Sequence, residues 1–470
     1  MTQTNLATPT NAMPKGLLKG WILILVAAIV AYGLYLYLPY DQNANKGLAL
    51  LAFIGILWLT EAIHITITAL LIPVMAVLLA MPMASGEELV PITTQAALAT
   101  FADPVIFLFF GGFALATALH IQKLDRKIAM WIISMSRGHL GISVLAIFVV
   151  TALLSMWISN TATAAMMLPL ALGLLSHLDV SKDRKTFVFI LLGIAYSASI
   201  GGLGTMVGSP PNAIAAKALG YDFADWMKIG LPMMFIILPA MLVSLYLVLR
   251  PKLNHKIQFA TEDIPWTRTR IATMILFLCT AIAWIFSKKF TEIFGISQPD
   301  TWIAISAACM VVILGTASWK QIAENTDWGV LYLFGGGLTL SAILKDSGSS
   351  LVLGQTLANA FGDASPLMII FVVATFIIFL TEFTSNTASA ALLVPVFAAI
   401  ADQMGMPKEI LVIVIGIGAS CAFMLPVATP PNAIVFGTGH IQQSEMMKVG
   451  FVLNIMCIFI ISLFIYWFFI

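Results

Sequence analysis

The sequence predicts an all-α integral membrane protein with about 11 transmembrane helices and two re-entrant helical hairpins. Two halves are expected to form an inverted-topology repeat behind an extra first helix. Three observations carry this reading. Of 470 residues, 60% are hydrophobic and only 10% charged, against roughly 25% charged in soluble chains, and the mean hydropathy is +1.00. Apolar segments near twenty residues recur along the chain, the length needed to cross a bilayer. Three sequence blocks also return in the same order at an offset near 225. Lys+Arg (23) nearly cancel Asp+Glu (22), so there is no basic excess to hold nucleic acid.

The first element follows a polar stretch, 1–20, that carries Lys15 and Lys19. The apolar run from Trp21 to Pro39 ends in LYLPYDQ, without the small-x-small pattern of a cleaved signal, so a retained helix is expected. With that helix (18–39), spans are expected at 47–63, 64–81, 104–120, 186–216, 229–249, 271–287, 301–316, 328–344, 410–440 and 449–470. The apolar stretches 140–176 and 365–401 do not read as single spans. If both return to the side they entered from and the N-terminus is cytoplasmic, 16 of the 23 Lys/Arg lie in cytoplasmic segments and seven outside. That bias follows the positive-inside rule and puts the C-terminus outside a plasma (inner) membrane. No lysine or arginine is left at membrane depth. The six histidines (64, 120, 139, 177, 255, 440) fall at span ends. Cys279, Cys309, Cys421 and Cys457 lie in apolar stretches without CxxC spacing, and are expected as small buried hydrophobes.

The repeat is specific. SNTATAAMMLP (159–169) matches SNTASAALLVP (385–395) at seven of eleven positions, and SPPNAI (209–214) matches TPPNAI (429–434) at five of six. DPVIFLFFGG (103–112) and DWGVLYLFGG (327–336) share the aspartate and FGG. Each half, 47–250 and 271–470, then holds five full spans. An odd number makes the second half enter the membrane from the opposite side, the construction of inverted-repeat transporters.

The 41 residues between Arg137 and Asp179 carry no acidic or basic side chain. As one helix they would run about 60 Å, twice the ~30 Å hydrocarbon core. With SNT near the middle, two helices meeting at a buried tip are expected, and the stretch around 385–387 should do the same. Joining two full spans at SNT instead would place an uncharged turn at the surface and spoil the charge sorting. IGGLGTMVGSPPNAI (200–214) and GIGASCAFMLPVATPPNAI (416–434) put glycines and a double proline inside spans. Proline removes a donor and clashes with the preceding turn, so the helices must unwind there. Unwound backbone survives in a membrane only inside protein or beside a wet cavity.

Free carbonyls with Ser, Thr and Asn oxygens suit a hard, weakly charged cation, and sodium is the natural candidate. The helix starts at SNTA favour an anion. With no fixed positive side chain nearby, bound cations would have to neutralise an anionic substrate, and binding would then depend on sodium. Glu61, beside His64, reads as interfacial. Glu382, four residues before Asn386, reads either as a proton or cation participant or as an acceptor for backbone N–H groups near the tip. No HExxH or membrane-protease motif is present, so an enzyme is not expected.

The paired SNT and [ST]PPNAI motifs and the inverted halves resemble the divalent anion/sodium symporter family, the sodium-coupled di- and tricarboxylate transporters, over essentially the whole chain. The resemblance implies one sodium site at Ser155, Ser159, Asn160 and Gly208 and a second at Thr381, Thr384, Asn386 and Ala428. It implies substrate contacts from Asn160, Thr161, Ser209, Asn386, Thr387, Thr429 and Pro430. It also implies import of C4-dicarboxylates (succinate, malate, fumarate) with co-transported Na+, by an elevator motion in a homodimer. The domain pattern would be a tail and first helix (1–45), scaffold parts at 46–139 and 271–364, transport parts at 140–250 and 365–470, and a cytoplasmic linker at 251–270. Transport of citrate or sulfate, or cation/proton antiport through Glu382, stands as the alternative.

Overall fold

The computed structural model describes residues 15–85, 88–136, 138–176, 178–254, 264–362 and 364–470. The expectations for Arg137, His177, His255, Lys256 and the linker core 255–263 lie outside the described residues. The first half contains α1 (Lys15–Tyr37), α2 (Gln42–Thr60), α3 (Ile65–Leu78), α4 (Thr94–Ala99), α5 (Pro104–Ile121), α6 (Leu124–Ser134), α7 (Leu140–Ser155), α8 (Asn160–Leu175), α9 (Val180–Gly201), α10 (Pro210–Leu219) and α11 (Phe223–Leu249). The second contains α12 (Arg268–Ile285), α13 (Ser287–Phe294), α14 (Pro299–Ile313), α15 (Trp319–Asn325), α16 (Trp328–Asp346), α17 (Ser349–Phe361), α18 (Pro366–Thr381), α19 (Asn386–Gln403), α20 (Lys408–Gly418), α21 (Pro430–Phe436) and α22 (Gln443–Phe469).

One departure from an all-helical chain is a short antiparallel pair, β1 (Pro82–Ser85) and β2 (Glu88–Pro91), with Pro82 opposite Pro91. Its two prolines and largely exposed residues suit a solvent-side edge ribbon, where a missing N–H is tolerated, and apolar-span reasoning does not see it. Among the described residues, eight helices are long and apolar enough to cross a membrane, or up to ten if each of two sharply bent pairs is one span. The spans expected at 64–81, 301–316 and 410–440 are built from shorter pieces: α3 of 14 residues, α14 of 15, and α20 and α21 of 11 and 7. Each of the stretches 140–176 and 365–401 is two helices broken at SNT, as expected, with turns at 156–159 and 382–385.

Packing follows residue size. The helix α9 is buried from Thr186 to its end, whereas α1 lies at the periphery. The central helix is rich in Gly, Ala and Ser, which lets backbones approach where lipid supplies no hydrophobic drive. A Cβ added at Gly201 would collide with the Ala152 backbone of α7, and one at Gly193 with the Phe148 ring. Helix pairings also repeat: α5 packs along α14 and α16 along α3, while α7 packs on α9 and α18 on α20. Of the four free cysteines, Cys421 and Cys457 are buried as expected, but Cys279 and Cys309 are exposed. Hydropathy cannot separate a lipid-facing position from an interior one, because both are apolar.

Candidate functional site

Each SNT motif is a helix start. Ser159 precedes α8 and its Oγ accepts from Ala162 N (3.3 Å), and Ser385 precedes α19 and accepts from Ala388 N (3.5 Å). Such a cap answers one of the N–H groups left unpaired in the first turn. The next residues, Asn160 and Asn386, stand at equivalent places in two matching oxygen clusters. In the first, Ser155 Oγ lies 2.7 Å from Asn160 Oδ1 and 2.6 Å from Ala198 O. In the second, Thr381 Oγ1 lies 2.6 Å from Asn386 Oδ1 and 2.9 Å from Ala419 O.

The Asn160 amide bears directly on ion chemistry. One of its two terminal atoms is surrounded by acceptors: Ser155 Oγ at 2.7 Å, Ala198 O at 3.0 Å and Gly208 O at 3.3 Å. If the amide nitrogen occupies that position it donates to all three. If the oxygen occupies it, it lies within reach of the Ser155 hydroxyl, which can donate to it, and of two backbone carbonyls, all neutral oxygens of the kind that ligate a hard cation. The expected set Ser155, Asn160 and Gly208 is therefore assembled, while the Ser159 hydroxyl is engaged in capping. In the second set Thr381 and Asn386 meet. The Thr384 hydroxyl is used locally, on Leu380 O (3.0 Å) and Ser389 Oγ (2.7 Å), and Ala428 closes a turn through its N–H on Leu425 O (3.2 Å).

Both PPN blocks follow an unwound segment and begin α10 and α21 with prolines in the first turn, where a missing N–H costs nothing. Asn212 and Asn432, whose role motif reading left open, hold these segments. Asn212 Nδ2 donates to Thr205 O (2.7 Å) and Gly202 O (2.8 Å), with Leu203 O at 3.4 Å. Asn432 Nδ2 donates to Leu425 O (3.0 Å) and Ala422 O (3.2 Å). The two loops also meet each other: Ser209 Oγ is 3.1 Å from Ser420 Oγ, and Tyr196 OH donates to Phe423 O (2.6 Å). Thr429 Oγ1 accepts from Asn432 N (3.3 Å), whereas Ser209 makes no such cap. The two loops thus differ at this position, one capped by its own hydroxyl and the other not.

A cavity of about 860 Å³ opens at the first tip. It is lined by Ser159 and Thr161, by Phe113 and Thr117 of α5, and by the charged Lys123, Arg126 and Asp327. Asn160, Asn386, Thr387 and Pro430 do not line it, nor do Ser209 and Thr429, which are buried, 3% and 4% exposed. The Ala198 and Ala419 carbonyls, which complete the oxygen clusters, carry no side-chain signal that sequence reading could find. Glu61 ends α2 in a left-handed turn, exposed, in keeping with an interfacial place.

Two helix pairs broken at matching motifs, each with its own cluster of neutral oxygens, among helices able to cross a membrane, have the architecture of a membrane transporter. The chain belongs to the divalent anion:sodium symporter family: residues 19–470 match the profile of the sodium:sulfate symporter transmembrane region. It is 55% identical over 94% of its length to an uncharacterised transporter of Haemophilus influenzae, covering 96% of that protein. It is 33% identical to the sodium-dependent dicarboxylate transporter SdcS of Staphylococcus saprophyticus, over 94% of this chain and 90% of that one. Among solved structures its fold is similar to that of the Alcanivorax borkumensis YdaH transporter, with a TM-score of 0.55 and 14% identity, covering 88% of this chain and 97% of that one.

Proposed function

We propose that the chain imports C4-dicarboxylates together with sodium. The observation that carries this is the pair of equivalent oxygen clusters, Ser155–Asn160–Ala198–Gly208 and Thr381–Asn386–Ala419, built without a charged ligand. Neutral oxygens hold a monovalent cation reversibly, and a cation beside each tip neutralises a carboxylate held at the starts of α8 and α19. Asn160, Thr161, Ser209, Asn386, Thr387, Thr429 and Pro430 are the proposed substrate contacts, with Ser159, Gly208, Thr384 and Ala428 completing the sodium sites. The name of SdcS, at 33% identity, supports a dicarboxylate. The family profile's name favours a second reading, sulfate. Antiport through Glu382 draws no support from geometry, because both carboxylate oxygens are engaged by N–H groups.

In this reading eleven segments cross the bilayer, α7–α8 and α18–α19 re-enter, and the second half is inverted. The transport parts, 140–250 and 365–470, slide as an elevator against a scaffold from 46–139 and 271–364, in a homodimer of the plasma membrane with the C-terminus outside. The cavity opens on the side assigned to the cytoplasm through Lys123. On the side assigned to the exterior, Lys288 lies 3.3 Å from Asp222 and 3.0 Å from Asp225, and Trp157 stacks on Phe223 and Trp284. Uptake of labelled succinate into proteoliposomes, with and without an inward sodium gradient, tests the reading. Sodium-independent uptake would overturn coupling, and sodium-dependent uptake of labelled sulfate without uptake of succinate would replace the substrate.

A further inference from the structure

The halves are unlike where each broken segment meets its hairpin. In the first, Thr205 Oγ1 donates to Met156 O (2.5 Å) and accepts from Gly208 N (3.1 Å), so a neutral hydroxyl knits the loop to the tip. At the repeat offset of 226, the counterpart of Met156 is Glu382. Its side chain is deeply buried, with the residue 1% exposed. The carboxylate accepts from Phe423 N (2.7 Å), Met424 N (2.9 and 3.1 Å) and Leu425 N (3.0 Å). Asn454 Nδ2 adds a fourth donor at 2.7 Å. Three consecutive N–H groups turned toward one anion form a nest. The carbonyls of this segment are held elsewhere, by Tyr196 and Asn432. All four donors are neutral, so they satisfy the carboxylate's oxygens without cancelling its charge. The adjacent residue, Thr381, reaches Ala419 O and Asn386 Oδ1 of the second oxygen cluster.

We infer that Glu382 makes the two cation sites unequal. As a positioning residue it fixes the 419–428 segment, and its uncancelled charge raises the sodium affinity of the second site, which fills first. The first site, with Met156 at the equivalent place, has no such charge. This rests on the sodium-coupled reading above and adds an order of binding to it. A unit charge in a buried, weakly screened setting shifts the affinity of a neighbouring cation site by roughly tenfold or more.

The test is a sodium titration of purified wild type and Glu382→Gln without substrate, read as the sodium-dependent rise in unfolding temperature, with uptake measured in parallel. The sodium midpoint should rise by about tenfold in Glu382→Gln, while the KM for succinate at saturating sodium stays near the wild-type value. A merely structural role would lower the sodium-free unfolding temperature and leave the midpoint in place, and that result overturns the inference. If Glu382→Gln does not fold, Ser155→Ala and Thr381→Ala decide: stabilisation at low sodium should persist in the first and vanish in the second, and the reverse order overturns the inference. A wild type indifferent to sodium overturns the sodium reading itself, and with it this inference. A sodium-dependent wild type matched by Glu382→Gln overturns the inference alone.

Discussion

Asn212 is the strongest test of how the unwound segments are held. Replacing it by alanine removes hydrogen bonds of 2.7 Å to Thr205 O and 2.8 Å to Gly202 O, together with the longer 3.4 Å contact to Leu203 O. All of this lies in a segment where Asn212 itself is fully buried, so water does not replace the lost donor. Side-chain hydrogen bonds inside membrane proteins are worth on average ~0.6 kcal/mol and at most ~1.7 kcal/mol each. Two short bonds plus the cost of stranded carbonyls therefore come to about 2 kcal/mol. Asn432→Ala breaks only two bonds, at 3.0 and 3.2 Å, and the second segment keeps its anchor on Glu382, so about 1 kcal/mol is expected. Equilibrium unfolding in mixed micelles measures both. An Asn432→Ala loss equal to or larger than that of Asn212→Ala would refute the assignment of these asparagines as graded struts. So would an Asn212→Ala protein with wild-type stability.

Two further outcomes follow from other parts of the structure. Thr161 lines the open cavity together with Lys123, on the side assigned to the cytoplasm, so Thr161→Cys in a background without the four native cysteines should react with a membrane-impermeant thiol reagent faster in inside-out than in right-side-out vesicles. Faster labelling in right-side-out vesicles would reverse the assigned orientation. Gly201→Ala places a methyl group against the Ala152 backbone, and with no flexible side chain to yield, a loss of about 1–3 kcal/mol is expected in the same unfolding assay. A neutral substitution would show that α7 and α9 are less closely packed than described.

The motifs were legible because they are local. SNT announces itself as a helix start, since a serine cap followed by small residues has few other uses in an apolar stretch. PPN announces an unwound segment, because proline cannot sit in a helix interior without freeing a carbonyl. Ser155, Asn160 and Gly208 could be grouped from likeness alone, and the fold brings them together. The Ala198 and Ala419 carbonyls could not be found that way, because every residue has a carbonyl and only packing decides which ones point inward. The β1–β2 ribbon and the outward-facing Cys279 and Cys309 escaped for related reasons: span hydropathy reports neither short polar ribbons nor which side of a helix meets lipid.

Glu382 divides the two kinds of information most clearly. Its position in an apolar stretch marked it as costly and therefore significant, but a proton carrier and a backbone acceptor look alike in sequence. Only the fold brings residues 423–425 and Asn454 to it, from 41 to 72 positions away. By itself, the sequence determined the membrane setting, the repeated blocks and the places where helices break, because these depend on composition and local backbone chemistry. The tertiary structure decided which carbonyls converge, which tip the cavity reaches and why the two cation clusters differ, because these depend on distances between segments that no local pattern encodes.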